Sequence, residues 1–381
     1  MRRSSAAARR RRASVSSVDP SSTTMSSKGT PCSAARVRST NAFTPGPSLH
    51  IGATTDSNRR VRCSRAPTSP VILARHLMAP GPRRDAVPGR CAACGASGLR
   101  AHLRVAGEMG PDGLVPTTDR FGTALADVAR CGVCGHGQLH PMPDEATLTA
   151  AYETAASDEY EAEEAGQRVT AQRALDMIER HAPRGALLDV GCWVGFLLDE
   201  ARTLGWETVG LEPSAFASAR ARDRFGLDVR EGDLVAAALP AGAFSAIVMG
   251  DVLEHLPDAV GALERVRELL APGGALWLAV PNAGSAAARA LGPRWWSVIP
   301  THVHYFTPTS LFVALARAGL APRERRTDPK AFTVRYYLHR LRGYAPPVAR
   351  ALVGVASAAG LADRMVAPDF GDRLAVVAVR S

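Results

Sequence analysis

The spacing of apolar and polar positions in the second half of the chain predicts strands that alternate with helices. The run Ala186–Val190 is apolar, has strand length and ends at a glycine-rich turn, as expected of a strand buried on both faces. The next run, FLLDEARTLGW, has the apolar spacing of a helix. Further short apolar runs cover 208–213, Phe244–Gly250 and 275–280. This alternation predicts an α/β fold with a parallel sheet.

The remaining pattern predicts further helices and a last strand. Residues 258–270 have helical spacing and precede a predicted turn, APGG. Thr307 and Ser310 are side chains that favour the start of a helix, which we place at 311–318. The C-terminal region reads as a helical insert interrupted by Pro346 and Pro347, and the final run, DRLAVVAVR, has the composition of a strand.

Charge separates the first part of the chain from the rest. Residues 1–77 hold fourteen basic residues and two acids, whereas 78–381 hold 32 basic and 34 acidic residues. Because residues 1–85 are rich in Ser, Arg and Pro and lack apolar periodicity, we predict that they are disordered. The extension has three interpretations: a nucleic-acid-binding arm, an organelle transit peptide, or an upstream segment that precedes a true start at Met78. We favour the third.

The lengths of the apolar runs bear on the cellular location. No stretch of the length that spans a bilayer is present in the sequence, and no secretory signal is recognisable. We therefore expect a cytoplasmic protein without a membrane partner. Seven cysteines in that compartment are better explained by metal binding than by disulfides.

Four of the cysteines have the spacing of a zinc ribbon. Each pair has two intervening residues and is followed by glycine, in CAACG and CGVCG. Two such pairs supply a closed tetrahedral shell, so we predict a structural zinc ion in a module over 86–145. A redox disulfide pair is the alternative, although no thioredoxin-like pattern surrounds either pair. The predicted ligands are Cys91, Cys94, Cys131 and Cys134.

Acidic residues follow three of the predicted strands. The glycine turn after Val190 permits close approach of the backbone to a ligand, but dinucleotide-binding folds use a similar turn. Glu212 ends the second strand and is placed to accept hydrogen bonds from two ribose hydroxyls. Asp233 follows a third short strand, where it can receive an adenine amino group, and Asp251 follows the fourth.

The order of these motifs resembles the class I S-adenosylmethionine-dependent methyltransferases over about residues 168–381. The resemblance implies a Rossmann-like seven-stranded sheet with helices on both faces, a last strand that runs antiparallel, and a domain over 146–381. Trp193 stands where the family usually has glycine, so the indole is expected to cover the site. The implied cofactor-binding residues are Asp189, Gly191, Gly195, Glu212, Asp233, Leu234 and Asp251.

The ribbon ahead of this fold narrows the resemblance to bacterial methyltransferases of sugar and natural-product pathways. Larger sugar C-methyltransferases of that group carry a long additional C-terminal domain, for which we expect no counterpart in this sequence. The resemblance therefore favours a hydroxyl on a small-molecule acceptor, with C- or N-methylation of a nucleotide-linked sugar as the alternative.

Histidines are the candidates for removing a proton from the acceptor. The run P-x-H-x-x-Y-F matches the same methyltransferase group at His302. His304 lies two residues further on, and His255 lies in the run LEHLP. An unperturbed histidine titrates near neutral pH, which suits this role. We predict His302 as the base, His304 as the second candidate and His255 as the third. For the last two, packing or capping is the competing interpretation.

Two other classes of function remain open. The ribbon and the basic extension are compatible with an RNA methyltransferase, whereas the slightly acidic remainder and the run GDVLEHLP, which differs from the Asn-Pro-Pro-Tyr type of motif, argue against a nucleic-acid partner. A non-catalytic scaffold that only binds the cofactor is the third hypothesis. Binding of labelled cofactor and salt-sensitive RNA binding separate the three.

Overall fold

The structure is a computed structural model that describes residues 86–107, 121–148 and 161–380. The predicted disordered segment 1–85 lies outside the described residues. Numbering below follows chain order.

Four strands of the cysteine-containing region form one antiparallel sheet with a fifth strand from far along the chain. The order is β1 (Ala86–Arg90), β2 (Ser97–Leu103), β3 (Asp127–Cys131), β4 (Gly137–His140) and β10 (His304–Tyr305). His304 pairs with Gln138, and Tyr305 pairs with Gly137. We call these five strands the ribbon sheet. Through β10 it shares backbone hydrogen bonds with the segment that carries the predicted base, His302.

The second sheet has seven strands and carries the predicted α/β pattern. Its order is β11 (Leu320–Thr327), β14 (Arg373–Arg380), β9 (Leu270–Pro281), β8 (Phe244–Gly250), β5 (Ala186–Val190), β6 (Glu207–Glu212) and β7 (Val229–Glu231). The five strands from β9 to β7 run parallel, and β14 is antiparallel to both of its neighbours. Strand order reverses between β5 and β8, which is where open α/β sheets bind ligands.

Helices cover both faces of this sheet, as predicted. The described helices are α1 (Glu164–Glu179), α2 (Phe196–Thr203), α3 (Ala215–Phe225), α4 (Ala259–Leu269), α5 (Ala286–Leu291), α6 (Pro308–Arg317), α7 (Val334–Arg340) and α8 (Pro346–Ala358). Leu187 joins a buried cluster with α1 and α2, whereas Leu188 joins the cluster that contains α4 and α6. Adjacent strand residues therefore supply two separate cores, because side chains alternate across a strand.

Some element boundaries differ from the prediction. The predicted turn at 271–274 lies inside β9 as a bulge: Phe244 pairs with Leu270, and the register resumes where Ala246 pairs with Ala275. Pro346 does not interrupt a helix but begins α8, where a missing N–H costs nothing. The short strands β12 (Phe332–Thr333) and β13 (Met365–Val366) pair with each other and frame the predicted helical insert.

Among the described helices, none combines the length and apolar character needed to cross a bilayer.

Candidate active site

A cavity of about 890 Å³ opens where the parallel strands β5, β6, β7 and β8 end. Its walls contain six of the seven predicted cofactor residues, with Gly195 outside the lining, and the predicted base His302. The insert and the segment after β9 close its other side. The structure therefore brings the predicted cofactor and acceptor regions to one continuous cavity.

Both glycines of the turn after β5 have backbone geometry that a side chain would disturb. Gly191 has φ 70° and Gly195 has φ 85°. A Cβ on Gly191 would lie 2.7 Å from Val252 Cγ2, and one on Gly195 would lie 2.5 Å from Leu227 Cδ1. Gly195 is also the residue before the first turn of α2. Gly191 thus shapes the cavity wall directly, whereas Gly195 permits close packing behind it.

The carboxylate of Glu212 is fixed at the end of β6 by two backbone donors. Trp193 N–H donates to Oε2 at 2.8 Å, and Ser214 N–H donates to Oε1 at 2.9 Å. Burial raises the pKa of Glu212, although these N–H groups oppose the shift. Each oxygen retains a second lone pair, so the carboxylate can still accept hydrogen bonds from a ligand in the cavity.

Asp189, Asp233 and Leu234 also line the cavity. Burial, followed by the nearby charge of Glu212, raises the pKa of Asp189 well above its ordinary value. Asp233 Oδ1 accepts hydrogen bonds from the N–H groups of Val235 and Ala236, both at 2.8 Å, which orients the side chain. Leu234 is buried beside it. The positions agree with the predicted roles, which remain predictions.

Trp193 lies in the cavity wall with a left-handed backbone, φ 50°. This conformation is one that glycine adopts more readily than a residue with a side chain. Its indole Nε1 is buried and has no hydrogen-bond partner among the described residues. A ligand in the cavity that carries carboxylate or hydroxyl groups can supply the missing acceptor.

Asp251 anchors an ion-pair network at the end of β8. Its carboxylate lies 2.8 Å from Lys330 Nζ and 2.9 Å from Arg373 Nε. Burial alone would raise the pKa of Asp251, but Arg373 and then Lys330 hold it well below its usual range. Arg373 also pairs with Asp328. The network ties β8 to β14 and to the segment that leads into the insert.

Glu254, in the short 3₁₀ turn Leu253–His255, lies beside His302. Glu254 is fully buried, and neither carboxylate oxygen has a hydrogen-bond partner among the described residues. His302 Nε2 lies 3.9 Å from Glu254 Oε1. Val303 N–H donates to the backbone oxygen of Glu254 at 2.9 Å, which holds the two segments together. Burial, and then the charge of Asp251, raises the pKa of Glu254 well above its ordinary value.

The two histidines of this cluster are oriented by backbone carbonyls. His302 Nδ1 donates to Ser297 O at 2.8 Å, and His255 Nδ1 donates to Thr301 O at 2.9 Å. Their ring centroids are 4.5 Å apart. Burial lowers the pKa of His255 to about 4 and that of His302 well below its ordinary value. Both imidazoles are therefore neutral at pH 7, and His302 is a weaker base than an exposed histidine.

The structure places His304 away from the cavity. Its Nδ1 lies 3.1 Å from His136 Nε2, and its Nε2 donates to Leu256 O at 3.0 Å. His304 is buried in β10, between the ribbon sheet and the turn after β8. It does not belong to the cavity lining, so its geometry favours the competing interpretation, a packed and hydrogen-bonded residue.

The four predicted zinc ligands converge. Cys91 Sγ lies 3.6 Å from Cys134 Sγ, Cys94 Sγ lies 3.6 Å from Cys131 Sγ, and all four sulfur atoms are within 4.8 Å of one another. Sulfur atoms that share one zinc ion at ~2.3 Å lie ~3.8 Å apart, so the set fits a tetrahedral ion. The glycines after each pair, Gly95 and Gly135, have φ 73° and 75°, as the predicted knuckles require.

Sequence reasoning missed several residues of the cavity. Glu254 comes directly before a histidine in the run GDVLEHLP and just after a predicted strand, which was an available signal. Lys330 and Arg373 reach Asp251 from distant parts of the chain, and no local pattern marks them. Aromatic residues of the insert also line the acceptor side, among them Tyr336 and Tyr337.

Comparisons with known proteins match part of this chain to methyltransferases. Residues 161–324 match the model of a methyltransferase domain family. The ubiquinone biosynthesis O-methyltransferase of Cereibacter sphaeroides is 32% identical over 152 residues, which cover 37% of this chain and 62% of that protein. The protein of the same name from Xanthomonas axonopodis pv. citri is 32% identical over 157 residues, covering 37% and 65%. The chain thus spans less than two thirds of the length of these relatives.

A solved structure of an S-adenosylmethionine-dependent methyltransferase from Mesorhizobium loti is 20% identical, with a TM-score of 0.38, and the match covers 55% of this chain and 98% of that one.

Proposed function

We propose that this chain, whose residues 161–324 match a methyltransferase domain family, is a class I S-adenosylmethionine-dependent methyltransferase. It would transfer a methyl group to a hydroxyl of a small acceptor, a sugar or another secondary metabolite. The observation that carries the proposal is the single cavity in which Glu212 and the buried pair of Glu254 and His302 both form the wall. Cofactor and acceptor groups would then meet in one cavity.

The cofactor half would hold S-adenosylmethionine through residues with separate tasks. When bound, this cofactor supplies an electrophilic methyl group on a sulfonium. Glu212 would accept the ribose hydroxyls, Asp233 would accept the adenine amino group above Leu234, and the bend at Gly191 with Asp189 would receive the amino-acid part. Support comes from the fixed orientation of both carboxylates, since a preoriented acceptor loses less entropy on binding.

The acceptor half favours a ring-shaped molecule that carries oxygen. Trp296, Tyr336, Tyr337 and Phe370 line this side, and aromatic faces pack against phenolic rings and against the apolar faces of sugars. The curated relatives bear the name of O-methyltransferases, which supports a hydroxyl rather than a carbon or nitrogen acceptor. Alignment in this pocket is the main contribution, worth up to ~7–11 kcal/mol of the barrier.

His302 stays the predicted base. Its Nε2 lies in the buried cluster with Glu254, within the cavity wall. Burial lowers its pKa well below the ordinary value, so the proton affinity that it offers is small.

The test combines binding and product analysis on the full chain. Calorimetry with S-adenosylhomocysteine should show binding, and incubation with methyl-labelled S-adenosylmethionine and panels of phenols and sugars should give label on oxygen. Label on carbon or nitrogen would support the alternative reaction, and transfer to RNA would support the nucleic-acid class. Absence of cofactor binding would overturn the assignment as a whole.

We also infer that Cys91, Cys94, Cys131 and Cys134 bind one structural zinc ion. The sulfur–sulfur distances and the closed, mostly buried set of thiolates support a site with no open position. Metal analysis of purified protein should find one zinc per chain for this site, and Cys94→Ser should reduce it. A cytoplasmic location stays a prediction, which cell fractionation tests.

A further inference from the structure

We propose that Glu254, His255 and His302 form a second metal site, which binds a divalent first-row ion at the acceptor end of the cavity. The ion would take the acceptor hydroxyl at an open coordination position. Binding of the acceptor hydroxyl to the ion rests on the proposed function, whereas binding of the ion itself does not. The ribbon cysteines are a different site with a different donor set.

Geometry is the first argument. One ligand atom from each of the three residues lies within 4.8 Å of the others. Ligand atoms that share one ion at ~2.1 Å lie ~3–4 Å apart, so small side-chain rotations complete the set. The 3.9 Å between His302 Nε2 and Glu254 Oε1 already falls in that range. Hydrogen bonding of Val303 N–H to the backbone of Glu254 holds the two contributing segments in register.

Hydrogen bonds on the far side of both imidazoles are the second argument. Histidines that bind metals usually donate their other ring N–H to a carbonyl or carboxylate, which fixes the ring and the tautomer. His302 and His255 both donate from Nδ1 to backbone carbonyls, those of Ser297 and Thr301. His302 then presents Nε2 toward Glu254, and His255 contributes one ring nitrogen to the same cluster.

The buried carboxylate is the third argument. Glu254 has no exposed surface, and neither of its oxygens has a hydrogen-bond partner among the described residues. The nearby cations, Lys330 and Arg373, form ion pairs with Asp251. A buried carboxylate without partners is costly, and a bound cation would satisfy it. A neutral, protonated Glu254 is the competing state, and the experiment below separates the two.

The donor set indicates which ions fit. Two imidazole nitrogens and one carboxylate oxygen suit zinc, manganese, iron or cobalt, whereas thiolate sets favour zinc and softer ions. Three protein ligands leave positions open on the cavity side, where Glu254, His255 and His302 all contribute to the lining. An oxygen bound there would lose its proton more readily.

Because the bound ion would make the acceptor hydroxyl more acidic, the reaction would not need His302 as a base. The acceptor O–H bond breaks and the proton passes to solvent, while the oxygen lone pair forms the new bond to the methyl carbon. The bond between that carbon and sulfur breaks, and the sulfonium becomes a neutral thioether. No oxidant or reductant is needed. His302 would then hold the ion rather than accept the proton.

Manganese(II) is the probe, because it does not compete well for four thiolates. The full chain with its native zinc is titrated with Mn²⁺, and loss of the free-ion electron paramagnetic resonance signal measures binding. Glu254→Gln and His302→Gln should each weaken binding by at least ~100-fold, since loss of an outer partner alone costs ~10–100-fold. The matched control is His181→Gln, a histidine that pairs with Glu324 outside the cavity lining.

Binding of S-adenosylhomocysteine by calorimetry accompanies each titration and shows that the variants are folded. If wild-type protein does not take up Mn²⁺, or if Glu254→Gln binds it equally well, the metal proposal is overturned. Cofactor binding and methyl transfer in that same protein would leave the proposed function standing. The converse result, Mn²⁺ uptake without cofactor binding, would remove the proposed function and retain the metal site.

Discussion

At the scale of single residues, Trp193 and Asp251 share an unusual feature. Both have left-handed backbones, φ 50° and 57°, although neither is glycine, and both lie just past a parallel strand in the cavity wall. Such a conformation is costly for a residue with a side chain and is concentrated at functional sites. The sequence placed both residues at strand ends, but backbone dihedrals are set by the surrounding fold and no local pattern predicted them.

Glu212 provides the most direct test of the cofactor half. We expect Glu212→Gln to weaken S-adenosylhomocysteine binding by ~10–100-fold, because hydrogen bonds to a charged group contribute ~1.5–3 kcal/mol. Calorimetry measures the change. Glu207→Gln is the matched control, since Glu207 is exposed at the other end of the same strand. Equal affinity in the Glu212 variant would show that the ribose is held elsewhere.

His304 predicts a pH dependence of stability. Burial lowers its pKa from 6.5 to about 4, so the folded protein keeps it neutral where the unfolded chain takes up a proton. The contribution of the neutral His304 to the free energy of unfolding is fully present above pH 6.5. It falls as the pH drops toward 4, by ~1.4 kcal/mol per pH unit for one such group.

The check is urea unfolding across this pH range in wild type and in His304→Gln. The variant lacks the titrating group, so its free energy of unfolding should depend less steeply on pH. Parallel pH profiles for the two proteins would mean that His304 is accessible to protons in the folded state.

At the scale of elements, prediction succeeded where an apolar run had clear ends. The predicted bounds of β5 and β8 agree with the structure, because each run stops at a glycine or an acid. Thr307 and Ser310 form a capping box at the start of α6, as their side chains indicated. The strand β10 was missed, because two residues carry no periodicity and their partner strand is far away in sequence.

Helix α1 closes one side of the cavity and depends on a glycine that the pattern did not single out. A Cβ on Gly166 would lie 1.9 Å from the backbone oxygen of Ala331, next to β12. We expect Gly166→Ala to lower the free energy of unfolding by ~1–3 kcal/mol, because neither backbone can move freely. Urea unfolding measures the change.

The insert offers a matched control for that substitution. Gly354 lies in the interior of α8, and nothing lies within 4 Å of a Cβ placed there. Gly354→Ala should raise the free energy of unfolding by ~0.5–1 kcal/mol, since alanine favours the helix. Equal effects of the two alanines would show that α1 does not pack closely against residue 331.

At the scale of the whole molecule, the ribbon sheet and the segment that carries His302 are parts of one structure. Besides the pairing of β4 with β10, Arg317 of α6 donates to the carbonyl oxygens of Ala92 and Ala93, within the first cysteine pair. The cysteine spacing predicted the sulfur cluster, since its information is local. It could not predict the docking, which depends on contacts between segments more than 160 residues apart.

Loss of the ribbon metal should therefore disturb the acceptor side before the cofactor side. His302 lies two residues before β10, which pairs with the ribbon sheet. Glu212 ends β6 and Gly191 follows β5, and neither of these strands pairs with the ribbon sheet. In Cys94→Ser, which removes a ligand, we expect the KM for the acceptor to rise about tenfold or more, in line with the ~10–100-fold cost of disturbed outer partners. The Kd for S-adenosylhomocysteine should change little.

Val133→Ser is the control, because Val133 is exposed in the second knuckle and is not a ligand. Equal losses of acceptor and cofactor affinity in Cys94→Ser would instead indicate that the metal supports the fold as a whole.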